Sequence, residues 1–241
     1  MVLQLPTGMA GIQRVARCEL AVEQWEWPFA QRHAMAIRAG WEEQQAANPK
    51  MFDGPIYLAR TCAINDATLT AALFRTDFKT FLFWRSHPEL AADDVVEVFG
   101  GSLIFSAEGH LLLGQQAAGN LNSGRVYPPC GLIDDSDVHD GRVDIDASIA
   151  RELREETGLT PDRLLRGEGY VLACVGRQIA VSIEWRSPLP GHRLRDAIIA
   201  DLNAQVQPEL EDIVIVRSQA EIEAARTPEH ALALLHSLLP A

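Results

Sequence analysis

Residues 151–159 read RELREETGL, and no other stretch limits the fold of this chain so tightly. Asp144 or Asp146 can cap a helix start, favourably placed near the positive end of the helix dipole, and Gly158 supplies a left-handed stop. The segment from about Asp144 to Thr157 therefore predicts a helix. At about 100° per residue, Glu152 and Glu156 stand one turn apart with Glu155 beside them on one face. Ile149 and Leu153 occupy the adjoining stripe, suited to anchoring the helix on a sheet.

Three glutamates on one turn admit two readings. On a solvated face, like charges at i, i+4 cost only about 0.2–0.5 kcal/mol, and many helices tolerate that. Against a loop, two carboxylates about 6 Å apart repel by about 3 kcal/mol at an effective dielectric near 20. A divalent cation removes that repulsion, and Mg²⁺ takes oxygen ligands from a few carboxylates plus substrate phosphates.

The rest of the chain narrows the partners. Its 241 residues suffice for a real core, and 47% hydrophobic with 22% charged residues is a globular composition. A formal net charge of −12 argues against nonspecific nucleic-acid binding, which needs basic surface. No apolar run approaches the ~18 residues of a membrane span, and the first twenty residues lack a secretory pattern. Cys18, Cys62, Cys130 and Cys174 are far apart and form no C-x-x-C pair, so a reduced, cytoplasmic setting is expected.

Periodicity predicts an N-terminal strand in IQRVARCEL, then a helix in WPFAQRHAMAIRAGWEEQQ with Trp27, Ala30, Ala34, Ile37 and Trp41 at helical spacing. IYLARTCAI and ATLTAALFR read as a hairpin, and DFKTFLFWR as a short helix. Polar HPELAADD, residues 87–94, marks a candidate boundary. Beyond it come strands turning at Glu108-Gly109, a short strand in RVYPPCG, a loop through LIDDSDVHDGRV and the glutamate helix. A hairpin turning at Gly176-Arg177 follows, then a helix in LRDAIIADLNAQV, the strand DIVIVR and a closing helix in PEHALALLHSLL. Such interleaving predicts an α/β sandwich.

RELREETGL resembles the distal half of the Nudix box: Arg151, Glu152, Leu153, Glu155, Glu156, Gly158 and Leu159 match every fixed position. The order of elements from about residue 95 to 241 is also similar to that family. The resemblance implies an α/β/α sandwich with a mixed sheet over residues 95–241, preceded by a smaller N-terminal α/β extension over residues 1–94. It implies a pyrophosphohydrolase in which Glu152, Glu155, Glu156 and the Gly131 carbonyl hold Mg²⁺ or Mn²⁺. Water then attacks a bridging phosphorus, with the metal as Lewis acid and clamp. Arg151 resembles the residue that braces the helix, so Arg151, Glu152 and Glu155 are the candidate catalytic residues.

The proximal half departs from that pattern. Val143 stands where the family places a glutamate, and Asp137 where it places a glycine. With Gly131 as the equivalent glycine, DDSDVHDGRV holds a six-residue insertion, and Asp135, Asp140 and Asp144 are candidate partners for Arg151. For the general base, Glu155 competes with Glu209 and Glu211 of QPELED, whose alternative role is solvated loop charge.

The substrate is less constrained. Trp41, Pro49, Phe52, Asp53 and Pro55 resemble the leading region of a Nudix protein that hydrolyses UDP-glucose, although core and turn roles explain them as well. Tyr127, Tyr170 and Trp185 could stack on a base or fill the core; Arg125, Arg142 and Arg177 could meet phosphate or solvent. Cys130 reads as a tight-loop residue rather than a nucleophile. The expected partner is a small-molecule nucleoside diphosphate derivative, with no nucleic acid, no membrane, and a homodimer as one assembly. The rival to catalysis is a Nudix fold used only to bind nucleotides or regulate.

Overall fold

The computed structural model of the chain describes residues 9–90 and 94–241. The candidate boundary at 87–94 thus falls partly on residues 91–93, outside the described residues. The N-terminal part contains β1 (Gly11–Val15), β2 (Arg17–Val22), α1 (Pro28–Arg32), α2 (Ala34–Ala47), β3 (Pro55–Asn65), β4 (Thr68–Asp77) and α3 (Phe78–Ser86). Two expected elements are each divided. IQRVARCEL forms two strands in different sheets, because the chain bends at Ala16, where the Ala16 and Arg17 N–H groups both donate to the Ala67 carbonyl. The expected long helix breaks at His33, which leaves helical geometry at φ −107° and closes α1 through a bond from its N–H to the Phe29 carbonyl.

The remainder adds β5 (Glu97–Phe105), β6 (Leu111–Gln116), β7 (Val126–Tyr127), β8 (Cys130–Leu132), β9 (Val138–His139), β10 (Arg142–Val143) and α4 (Ile145–Thr157). It continues with β11 (Leu165–Arg166), β12 (Tyr170–Val175), β13 (Gln178–Arg186), α5 (Gly191–Leu202), β14 (Leu210–Val216) and α6 (Glu229–Leu238). The larger sheet runs β1-β12-β13-β5-β6-β14, with β11, β7 and β8 attached at its sides. Only β13 and β5 pair in parallel among these; the other pairings are antiparallel, so the sheet is mixed.

Side chains alternate across this sheet as a period of two demands. Val98, Ile104, Leu172, Ile179 and Val181 join a core with Ile149 and Leu153 of α4 and Leu194 and Ile198 of α5. Their neighbours Phe99, Leu103, Val171, Ala173 and Ala180 join Leu234 and Leu235 of α6 on the opposite face. The expected α/β/α sandwich is what the chain builds.

The smaller sheet has the order β3-β4-β2-β10-β9. Ile56, Leu58 and Phe74 pack against Trp27, Phe29, Trp41, Phe81 and Trp84 of the N-terminal helical segments. Leu20, Leu69, Ala71 and Leu73 enter the same core as Val98, Ile145 and Ile149. The two parts also trade strands. β1 closes on β12 of the larger sheet, whereas β9 and β10, from the insertion, join the smaller one through β2. The segment expected as a loop is therefore a 3₁₀ turn followed by a hairpin, turned by Asp140 and Gly141 at φ 50° and 74°. No helix among the described residues is long and apolar enough to cross a membrane.

Candidate active site

The glutamate helix is fixed from both ends and from beneath. The Asp144 carboxylate accepts from the Ala147 N–H at 3.0 Å, which makes it the cap in preference to Asp146. Gly158 stops the helix at φ +68°, a conformation that favours glycine, and a Cβ there would displace the Asp201 carboxylate. Ile149 and Leu153 are fully buried, each worth about 1.5–3 kcal/mol of burial. Ile149 lies so close to β5 that a Cβ on Gly100 would stand 2.7 Å from its Cγ1.

This seating grades the three glutamates by depth. The Glu155 side chain is 53% exposed, Glu152 is 13% exposed, and Glu156 as a residue is 1% exposed. The Glu152 carboxylate fills the space that a side chain on Gly131 would take, bringing it against the backbone of β8. Glu156 Oε1 accepts from Gln116 Nε2 at 3.4 Å, while its Oε2 is buried with no hydrogen-bond partner.

Glu209 joins them from the opposite side. Its backbone carbonyl accepts from the Ala117 N–H at 2.9 Å and from Asn120 Nδ2 at 2.8 Å, fixing the start of β14 against the 117–124 loop. Burial pushes the Glu152 carboxyl up to about 7, opposed by Arg151 and reinforced by Glu209 and Glu155. Glu156 is pushed well above the carboxylate range by burial, then by Glu152 and Glu209, with the Cys130 backbone N–H and Gln116 opposing. Glu209 is raised by burial and by Glu155. Glu211 accepts from Gln115 Nε2.

Arg151 sits between two groups of acids. Its Nη1 donates to Glu152 Oε1 at 2.6 Å and Glu155 Oε2 at 3.3 Å. Its Nη2 donates to both oxygens of Asp137, at 3.2 and 3.1 Å, with Asp134 Oδ2 further off at 3.8 Å. Burial disfavours the guanidinium charge, but Glu152 and Asp137 hold its pKa above the usual arginine value. The partner is thus Asp137, and the three expected candidates are engaged elsewhere. Asp135 binds Arg75 through two bonds of 2.9 Å and Tyr57 Oη at 2.9 Å, Asp144 caps the helix, and Asp140 lies in the hairpin turn. Val143, 9% exposed, is a core residue. The sequence signal for Asp137 was its own oddity, an acid where a loop glycine is expected.

The same geometry tests the fit to a divalent cation. Among the described residues, no three His, Cys, Asp or Glu side chains already converge on one point. Arg151 holds Glu152 and Glu155 in ion pairs, and Glu156 turns toward Gln116. The donor set nevertheless suits an oxygen-seeking cation. An unpartnered buried carboxylate oxygen on Glu156, a carboxylate pressed on Gly131, and mutual repulsion among Glu152, Glu156 and Glu209 all call for added positive charge.

The remaining candidates take other roles. Trp185 is core at 3% exposure, Tyr127 Oη accepts from Asn122 Nδ2 at 3.1 Å, and Tyr170 Oη donates to Asp146 at 2.7 Å. The Arg177 guanidinium lies 3.9 Å over the Trp84 ring, and Arg142 serves β10. Burial, then Glu156 and Glu152, drive the Cys130 thiol far above its usual pKa, which makes it no thiolate nucleophile. In the N-terminal part Trp41 is buried and Asp53 binds Lys79 Nζ at 2.7 Å, both scaffold roles, whereas Phe52 is 79% exposed.

The family model for the NUDIX domain matches residues 98–239. No curated protein matches the chain. Among solved structures, the chain is similar to a Nudix hydrolase from M. Smegmatis, RenU, at 15% identity and TM-score 0.38, covering 59% of this chain and 82% of that one. It is similar to a MutT protein from Methanosarcina mazei Go1 at 19% identity and TM-score 0.39, covering 59% and 91%. An Ap4A hydrolase from C. elegans gives 19% identity and TM-score 0.38, covering 59% and 96%.

Proposed function

The chain belongs to the Nudix hydrolase family, and from that premise we propose that it is a Mg²⁺- or Mn²⁺-dependent pyrophosphohydrolase of nucleoside diphosphate derivatives. The observation that carries this reading is Glu156: a buried carboxylate with an unpartnered oxygen, beside two further glutamates of one helical turn. Such a charge is costly unless something cationic meets it. In this reading Glu152, Glu155, Glu156 and the Gly131 carbonyl hold the cation, which supplies Lewis acidity and lowers the pKa of the attacking water.

The protein's own part is positioning and proton handling. Ile149, Leu153 and the Gly158 stop hold the glutamate turn against the sheet. Arg151 braces Glu152 and Glu155 from the side. Two carboxylates can accept the proton of the attacking water, Glu155 on the open face and Glu209 opposite. We favour Glu209, whose pKa is raised by desolvation and by Glu155, the direction a general base needs.

For the substrate we favour a UDP-sugar, cleaved to UMP and a sugar 1-phosphate. The support is the N-terminal segment around Trp41, Phe52 and Asp53, where Phe52 is left in solvent beside a loop tied to the site by Asn48 Nδ2 donating to the Gly119 carbonyl at 2.9 Å. Residues 1–94 are read as an extension serving the domain at 95–241. The test is incubation with Mg²⁺ and UDP-glucose, with products identified by ³¹P NMR. No turnover removes the sugar reading; silence across ADP-ribose, dinucleoside polyphosphates and coenzyme A as well removes the hydrolase reading.

A further inference from the structure

We propose that Asp137 is a positioning residue for the glutamate turn, acting through Arg151, and that the N-terminal sheet holds it in place. The inference rests on the metal-dependent reading above and adds to it a residue and a layer of the fold.

Asp137 is 2% exposed, and its carboxylate meets several donors. It accepts from Arg151 Nη2 on both oxygens, from Ser148 Oγ at 3.1 Å and from the Asp134 N–H at 3.1 Å. Three of these bonds fall on Oδ2 and one on Oδ1, so the buried carboxylate is an anchor for the guanidinium. What it anchors is the guanidinium, whose Nη2 edge faces Asp137 while Nη1 faces Glu152 and Glu155. Those glutamates must release some of that contact when they accept a metal. With Nη2 fixed on Asp137, the positive charge stays beside the site without folding onto it. Without that anchor the whole guanidinium is free to settle on Glu152 and Glu155, where it competes with any cation.

The position of Asp137 is in turn set from the N-terminal part. Asp137 leads into the β9–β10 hairpin, its carbonyl accepting from the Asp144 N–H at 2.9 Å. That hairpin joins the smaller sheet, Arg142 opposite Ala21, with the Val22 N–H donating to the Gly141 carbonyl at 2.8 Å. Two residues upstream, Asp135 is clamped by Arg75 of β4 and Tyr57 of β3. The path runs from β2 through the hairpin, and from β3 and β4 through Asp135, to Asp137, Arg151 and the proposed metal-binding glutamates.

The experiment titrates Mn²⁺ alone into the full-length protein and follows free ion by electron paramagnetic resonance. Four proteins form a cycle: wild type, Asp137→Asn, Arg151→Met and the double variant. Asp137→Asn is expected to weaken Mn²⁺ binding by about tenfold or more, the range for groups that orient metal ligands. In the Arg151→Met background the same change is expected to shift Kd by less than about twofold, because the residue it acts through is gone. An unchanged Kd for Asp137→Asn, or an equal loss in both backgrounds, overturns the inference while leaving the metal reading intact. A wild type that binds no Mn²⁺ overturns both. Should Asp137→Asn fail to fold, Ser148→Ala removes one of the bonds that hold the carboxylate; a weaker Kd supports the inference and an unchanged one overturns it.

Discussion

A side chain on Gly131 would occupy the space filled by the Glu152 carboxylate. The obstacle is the far end of a flexible side chain, so the fold can yield where the site cannot. Gly131→Ala is therefore expected to shift the melting temperature little. Mn²⁺ affinity should fall at least about tenfold, since one ligand is pushed from its position. Calorimetry paired with Mn²⁺ titration checks this, and a collapse of stability with unchanged affinity would reverse the assignment.

Glu156 joins stability and activity in opposite directions. Its carboxylate is buried, repelled by Glu152 and Glu209, and left with one oxygen unpartnered. Glu156→Gln removes the charge at nearly constant shape. The metal-free variant is expected to be more stable than wild type at pH 8 by about 1–3 kcal/mol. Its turnover should drop by at least about 100-fold, the scale for losing a group that stabilises the transition state electrostatically. Urea unfolding in chelator and turnover of the substrate found in the panel measure the two effects. A variant both less stable and fully active excludes Glu156 as a metal ligand.

The pH dependence of the metal-free protein carries a sign that can be worked out. Burial holds the folded Glu152 carboxyl at about 7 against 4.5 in its ordinary state. Between those values the folded protein binds more protons than the unfolded chain, so stability falls as pH rises from about 4.5 to 7 and then levels. His230 runs the other way. Burial takes it down to about 4 from 6.5, so the stability it contributes is present above 6.5 and lost as pH falls toward 4. The clean observable is the difference between Glu152→Gln and wild type, in which His230 cancels. That difference should grow in favour of the variant from pH 4.5 to 7, and excess Mn²⁺ should reverse it by stabilising the wild type more.

The glutamate helix was legible in the sequence because everything that defines it is local: the Asp144 cap, the Ile149–Leu153 stripe and the Gly158 stop. The grading of its acids by depth was not, since Glu156 meets Gln116 and Cys130, residues of other strands. The partner of Arg151 escaped for a similar reason. Asp137 reaches it from the insertion, whose β9–β10 hairpin pairs with β2, a contact between segments more than a hundred residues apart. The break at Ala16 has the same origin, for Val15 and Arg17 find partners in Tyr170 and Thr68, residues of two different sheets. Periodicity reads which face is apolar, but not which sheet will cover it.

The two acids of QPELED make the last prediction, because a bulge between Leu210 and Asp212 separates residues that strict alternation would put on one face. Glu209 faces the glutamate turn and feels Glu155, while Glu211 is tied to Gln115 on the strand surface. If Glu209 takes the proton from the attacking water, Glu209→Gln should lower kcat by about 10²–10⁴-fold, the usual contribution of a general base, with KM little changed. The acid limb of the pH–rate profile should disappear with it. Glu211→Gln should retain wild-type kcat, because its carboxylate meets only a surface amide. Equal losses in the two variants would mean that the strand start is structurally required and that the base lies elsewhere, with Glu155 next in line.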